Sequence, residues 1–186
     1  MKPIRLSILT LLLLSSALMQ GQSDTISWHD GVKITWADFK GAPNKSVPYF
    51  ANTTYLISIG YKYRGSDAKI HVGCYFDRDK SWVIKSKEKD SLLLHEKLHF
   101  AIAELFARKA RKIITDTALQ ASDINNVLNA IDERVMKECD EYQDQYDNET
   151  NHSIITAKQI EWMKKVYLEL DALKAYSNTE IEKTLQ

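Results

Sequence analysis

Cysteine is scarce in this chain. Only Cys74 and Cys139 occur in 186 residues, and neither belongs to a Cys-x-x-Cys pair. That spacing argues against a thiolate metal site and leaves two options: one disulfide between them, or two separate buried thiols. Excess charge is missing too. Lys and Arg total 25 and Asp and Glu total 25, so the formal net charge is zero. Nothing in that balance pulls the chain toward nucleic acid or an anionic membrane. After residue 22 no apolar run is long enough to span a bilayer. There is no internal repeat, no low-complexity tract and no recognition module for glycan or any other substrate. What remains is an ordinary globular composition, 44% hydrophobic and 27% charged, with enough length for one domain and a real core.

The first residues stand apart. Lys2 and Arg5 make a basic start, Leu6 to Met19 is apolar, and Gln20-Gly21-Gln22 turns polar. This reads as a signal peptide covering residues 1–22. An N-terminal anchor is the alternative, but the run is short for a spanning helix. No cysteine lies near the junction, which argues against a lipoprotein. The expectation is a secreted or periplasmic protein with no stable membrane anchor after cleavage. Residues 23–178 form its single domain and 179–186 a polar tail, expected to be frayed.

The centre of the chain is Leu92-Leu93-Leu94-His95-Glu96-Lys97-Leu98-His99-Phe100. It holds His-Glu-x-x-His inside a helical pattern. A helix turns about 100° per residue, so His95 and His99 share one face, one turn apart, and can address one metal ion. Glu96 flanks that line and is placed to act on water rather than on the metal. The bland alternative is a surface helix with two idle histidines. The leucines before the motif, with Phe100, Ile102, Leu105 and Phe106 after it, make the helix largely buried. Buried His and Glu need partners.

Alternation places strands in the first half. Val32, Ile34 and Trp36 read as a half-buried strand. Tyr55, Ile57, Ile59, Tyr61 and Tyr63 share one face of a strand from Asn52 to Tyr63. Gly65-Ser66-Asp67 turns the chain, and Ile70, Val72, Cys74 and Phe76 alternate again as the second arm of a hairpin. His71 falls on the opposite face, a solvent-side position. Helical spacing then takes over: the motif helix from about Lys89 to Ile114, a second from Ser122 to Tyr146, a polar loop from Asp147 to Thr156, and a third carrying Ile160 to Leu173. Strands first and helices second make an α+β fold, an N-terminal antiparallel sheet packed on the motif helix and two further C-terminal helices. A sheet edge beside that helix would suit an extended peptide.

Catalytic zinc usually takes three protein ligands and leaves one position to water. Glu104 is close in sequence but is rotated about 140° from His99, which suits a structural role. From the residues alone the third ligand stays open among His152, Glu141 and Asp147. His152 sits in the polar loop Tyr146-Asp147-Asn148-Glu149-Thr150-Asn151-His152, and an idle loop histidine is an equal alternative.

Three stretches resemble a bacterial family of predicted secreted zinc-dependent proteases, domain of unknown function 922. They are His95-Glu96-Lys97-Leu98-His99-Phe100-Ala101-Ile102-Ala103-Glu104 with Ala107-Arg108; Trp36-Ala37-Asp38-Phe39-Lys40-Gly41; and Tyr146-Asp147-x-Glu149-Thr150-x-His152 followed by Gln159 and Trp162. The resemblance implies a zincin-like fold, a metallopeptidase and His152 as third ligand. The chain departs from the pattern at Ala101, where Asp is expected, and at Ser153, where Gly is expected.

The sequence therefore reads as a secreted zinc-dependent metallohydrolase, a peptidase acting on peptide or protein. Zinc is held by His95, His99 and His152, with Glu96 as general base and the Tyr146 phenol (or Tyr142) as a second electrophile. The rival is a non-enzymatic envelope protein with a structural metal site; a cell-wall amide is the alternative substrate.

Overall fold

The computed structural model describes residues 24–186, so the expected signal peptide lies outside the described residues. The elements run β1 (Thr25–Ser27), β2 (Ala51–Asn52), β3 (Tyr55–Arg64), β4 (Asp67–Asp77), β5 (Trp82–Val83), α1 (Asp90–Asp116), α2 (Ile124–Thr150), α3 (Thr156–Ala172) and β6 (Glu180–Thr184). This is an α+β architecture with an all-antiparallel main sheet. No helix among the described residues is long and apolar enough to cross a membrane.

The hairpin is where alternation placed it. β3 and β4 pair from Tyr55↔Phe76 to Arg64↔Asp67, and Gly65 takes φ 60° at the turn, a region glycine enters without steric penalty. On the far side of β4, β1 pairs with residues 75–77 and β6 with residues 67–71. Ala68, Ile70, Val72, Cys74 and Phe76 form the buried face of β4. On its outer face His71 bonds Glu180 and Tyr75, 2.8 and 2.9 Å away.

Helix α1 lies between this sheet and the pair α2 and α3. Every residue from Phe100 to Arg108 is buried, because the middle of the helix has no solvent side. That includes Glu104. Its carboxylate accepts from Arg108 Nε (2.9 Å) and from Arg111 Nη1 (2.8 Å) and Nη2 (3.2 Å). The guanidiniums then reach the carbonyls of Leu170, Val72 and Tyr176. One buried carboxylate thus joins helix, sheet and the C-terminal turn. Cys74 and Cys139 are buried free thiols, so the second of the two cysteine readings holds.

Two expectations fail here. The stretch Val32–Trp36 keeps its alternating burial, with Ile34 inside, but has no ladder partner among the described residues. It leads instead into a single 3-10 turn, Trp36–Asp38, started by Thr35, whose N–H donates to Asp38 Oδ2 at 2.8 Å. The polar tail is also ordered. β6 buries Ile181, Leu185 is buried just beyond it, and Leu185 N–H donates to Ser66 O at 2.7 Å. Removing residues 179–186 is therefore expected to lower stability by about 3 kcal/mol, the order of two buried aliphatic side chains. A chemical denaturation midpoint equal to that of the full chain would contradict this.

Candidate metal centre

The face of α1 that meets α2 carries His95 and His99. Their Nε2 atoms lie 3.1 Å apart. From α2, Asp147 Oδ1 stands 3.0 Å from each of them. A triangle of donors with sides of about 3 Å leaves room for an ion some 2 Å from every corner, the metal–nitrogen and metal–oxygen distance of zinc.

The protonation pattern strengthens this geometry. His95 Nδ1 lies 3.1 Å from Gln159 Oε1 and His99 Nδ1 lies 2.6 Å from Gln143 Oε1. An amide oxygen can only accept, so each Nδ1 carries the proton and each Nε2 offers its lone pair. The orientation of Gln143 is fixed because its Nε2 donates to the His99 carbonyl at 3.0 Å. Two imidazole lone pairs and a carboxylate oxygen then converge on one point. Such a cluster is self-repelling unless a cation or a proton sits within it. The chemistry of the donor set fits a divalent metal.

The shifts in proton affinity follow from the same contacts. A proton within the cluster does the work of a cation: burial alone would lift the Asp147 carboxyl, but hydrogen bonds from His95 and His99, each with Nε2 protonated, outweigh it and hold Asp147 well below the carboxylate range. Burial opposes charge on His99, yet Asp147 and Glu96 raise its pKa overall. Glu96 is raised chiefly by burial, against the opposing pull of His99, His95 and Thr53. Thr53 Oγ1 donates to Glu96 Oε2 at 2.8 Å and so fixes which way that carboxylate faces.

These groups form the floor of a cleft of about 680 Å³, within the range of small-molecule and peptide sites. Its walls are apolar, with Tyr49, Phe50, Tyr55, Leu92 and Ile154 among them. His152 stands at the rim. Its side chain is 45% exposed, its Nδ1 is 3.5 Å from Asp147 Oδ2, and its ring stacks on Tyr49 at 5.9 Å. His95, Asp147 and His152 also form a three-donor group within 4.8 Å. His152 is held there by left-handed backbone: Asn151, His152 and Ser153 have φ of 46°, 48° and 78°. Asn tolerates this conformation, whereas the next two residues adopt it at a cost of about 1–2 kcal/mol each. Ser153 is the position where glycine was expected, and its φ gives the reason.

The structure thus brings together His95, Glu96, His99, Asp147 and, at the rim, His152. Other candidates lie elsewhere. Tyr146 is fully buried behind His95, stacked on its ring at 4.6 Å, and its hydroxyl donates to Gln159 Oε1 at 2.8 Å. A phenol so enclosed does not face the cleft, which corrects the expectation of an electrophile there. Tyr142 donates to Glu169, and Glu141 sits on the surface near Lys137. Thr53 and Gln143 had not been singled out from sequence. Gln143 lies one turn before Asp147, so the helical period that joins His95 to His99 would have found it.

Fold and site together define an α+β protein with a histidine–carboxylate cluster that could hold a metal at the floor of an open cleft. Residues 76–153 match the model of a family described as bacterial protein of unknown function (DUF922). The matched segment is under half of the chain and spans every donor of the cluster, which supports the family resemblance. No curated protein and no solved structure matches the chain.

Proposed function

We propose that this protein is an exported, zincin-like zinc metallohydrolase that cleaves peptide bonds. The observation that carries this reading is the convergence of His95 Nε2, His99 Nε2 and Asp147 Oδ1 at 3.0–3.1 Å. Glu96 adjoins them on the floor of an open cleft. Two histidines and one carboxylate are a ligand class of catalytic zinc. Zinc, when bound, supplies a Lewis acid and lowers the pKa of water. Glu96, oriented by Thr53, accepts the proton of the attacking water and returns it to the leaving amine. Asp147 is preferred over His152 as third ligand, because its oxygen completes the tight triangle while His152 stands farther out.

The substrate class is supported by the cleft wall. Ile84 N–H donates to the Phe50 carbonyl at 2.8 Å in the β2–β5 pair. Ala51, one residue on, therefore directs its N–H and C=O away from β5. Ala51 is only 4% exposed but lines the cleft, so an extended peptide would meet this edge only from within the cleft, in the manner of an added strand.

A non-catalytic metal site is the second reading, and one observation favours it. His152 brings a fourth donor within reach, and four protein ligands would close the site. Zinc content of the purified chain tests both, compared across wild type, Asp147→Ala and His152→Ala. We expect about one zinc per wild-type chain, nearly none in Asp147→Ala and full content in His152→Ala. Loss of zinc in His152→Ala alone would return His152 to the third position. Loss in both would favour the closed site, and a wild type that takes up no zinc would end the metal reading.

A further inference from the structure

We infer that Gln143 and Gln159 are positioning residues of the metal centre, two buried amides that set the tautomer and the aim of the paired histidines on α1. The inference rests on the metal reading above. The two glutamines come from different helices, α2 and α3, and each is only 7% exposed. Each places its amide oxygen on the Nδ1 of one histidine, at 3.1 Å for Gln159 and 2.6 Å for Gln143. The arrangement is the same twice over, which a packing accident does not require.

Gln143 is locked at both ends of its amide, since its Nε2 donates to the His99 carbonyl. Gln159 is not. Its oxygen accepts from both His95 Nδ1 and Tyr146 Oη, while its Nε2 is buried without a partner among the described residues. Folding alone would favour a side chain with no stranded donor at this position. A glutamine that strands its N–H₂ while its oxygen holds His95 is explained if holding His95 is what the position is for. Tyr146 completes the clamp by stacking on the His95 ring, 25° from coplanar. The stack and the hydrogen bond at Nδ1 together set the plane and rotation of the ring that aims Nε2 at the point shared with His99 and Asp147.

Groups that hold ligating histidines typically tune metal affinity by 10–100-fold. The test is zinc affinity of the full chain, measured by competition with a chromophoric chelator. Wild type is compared with Gln159→Leu, Gln143→Leu and Gln159→Glu, and thermal melts are recorded on each metal-free protein. Each Leu variant is expected to bind zinc about 10–100-fold more weakly. Metal-free Gln159→Leu should melt close to wild type, because removing the stranded Nε2 offsets the loss of the acceptor for His95 Nδ1 and Tyr146 Oη. Gln159→Glu should keep wild-type affinity or exceed it, since a carboxylate oxygen can also accept the hydrogen bond from His95 Nδ1–H.

A purely structural role predicts the reverse, lower melting temperatures with unchanged affinity, and that result would overturn the inference. Should Gln143→Leu fail to fold, the Gln159 pair decides alone. Zinc bound equally by wild type and all variants sinks the inference but leaves the metal site standing. Zinc bound by none of them sinks the site and the inference together.

Discussion

Replacing Glu96 with glutamine is expected to leave zinc uptake at the wild-type level and to lower peptide hydrolysis by about 10²–10⁴-fold, the usual contribution of a positioned proton-transfer group. The change is isosteric. The amide oxygen of the variant can still accept from Thr53 Oγ1, as the carboxylate does at 2.8 Å. His95, His99 and Asp147 keep the contacts that bring them together. What is lost is the ability to take a proton. Burial already raises the proton affinity of this carboxyl, which moves it toward the range where an acid–base group works best. The assay is turnover of a casein or mixed-peptide substrate by zinc-loaded protein, beside a zinc titration of the same samples. A variant as active as the wild type would show that another group takes the proton, and Asp144, which also lines the cleft, would be examined next.

The second large effect concerns stability. Glu104→Ala is expected to destabilise the fold by about 3–5 kcal/mol, the penalty for leaving buried charges without their partner. Arg108 and Arg111 are both nearly sealed from solvent, and both direct guanidinium nitrogens at this one carboxylate. Without it they retain only carbonyls and, for Arg108, the exposed Asp30. In a domain of this size the loss corresponds to a melting temperature lower by about 10 °C. Zinc content of the folded variant should match the wild type, since Glu104 is turned toward the arginines and not toward His95 and His99. An unchanged melting temperature would mean that the two arginines find solvent or other partners when the carboxylate is removed.

The parts of the fold that were legible in sequence share a cause. The β3–β4 hairpin and α1 announce themselves because burial on one side, or on all sides, writes a period into the residues: Ile70 to Phe76 in steps of two, His95 and His99 in a step of four. The less legible parts depend on partners distant in the chain. Val32 to Trp36 carries a strand's alternation without a strand to pair with. Ile181, Lys183 and Leu185 alternate too, but only β4 gives that short run a reason to extend. The polar stretch around Asp147 reads as a loop. The helix continues to Thr150, and Asp147 faces the site while its neighbour Asn148 stays in water. Gln143 and Gln159 are harder still, since a neutral amide that holds an imidazole looks in sequence like any surface glutamine. Tyr146 is close to His152 along the chain, but one residue on a helix turns a side chain by about 100°, enough to put Asp147 in the cleft and Tyr146 behind it.

The two thiols have a consequence for how this chain meets oxidants. Burial raises both, Cys139 to about 11 and Cys74 well above its ordinary value. At neutral pH the reactive thiolate is then on the order of one in ten thousand molecules at Cys139, and the packed interior keeps reagents from reaching it. An oxidising compartment and a reducing one therefore present the same folded molecule. No covalent cross-link has to be made, shuffled or protected on the way to it, and the cohesion of the fold rests on packing, hydrogen bonds and ion pairs such as the Glu104 cluster.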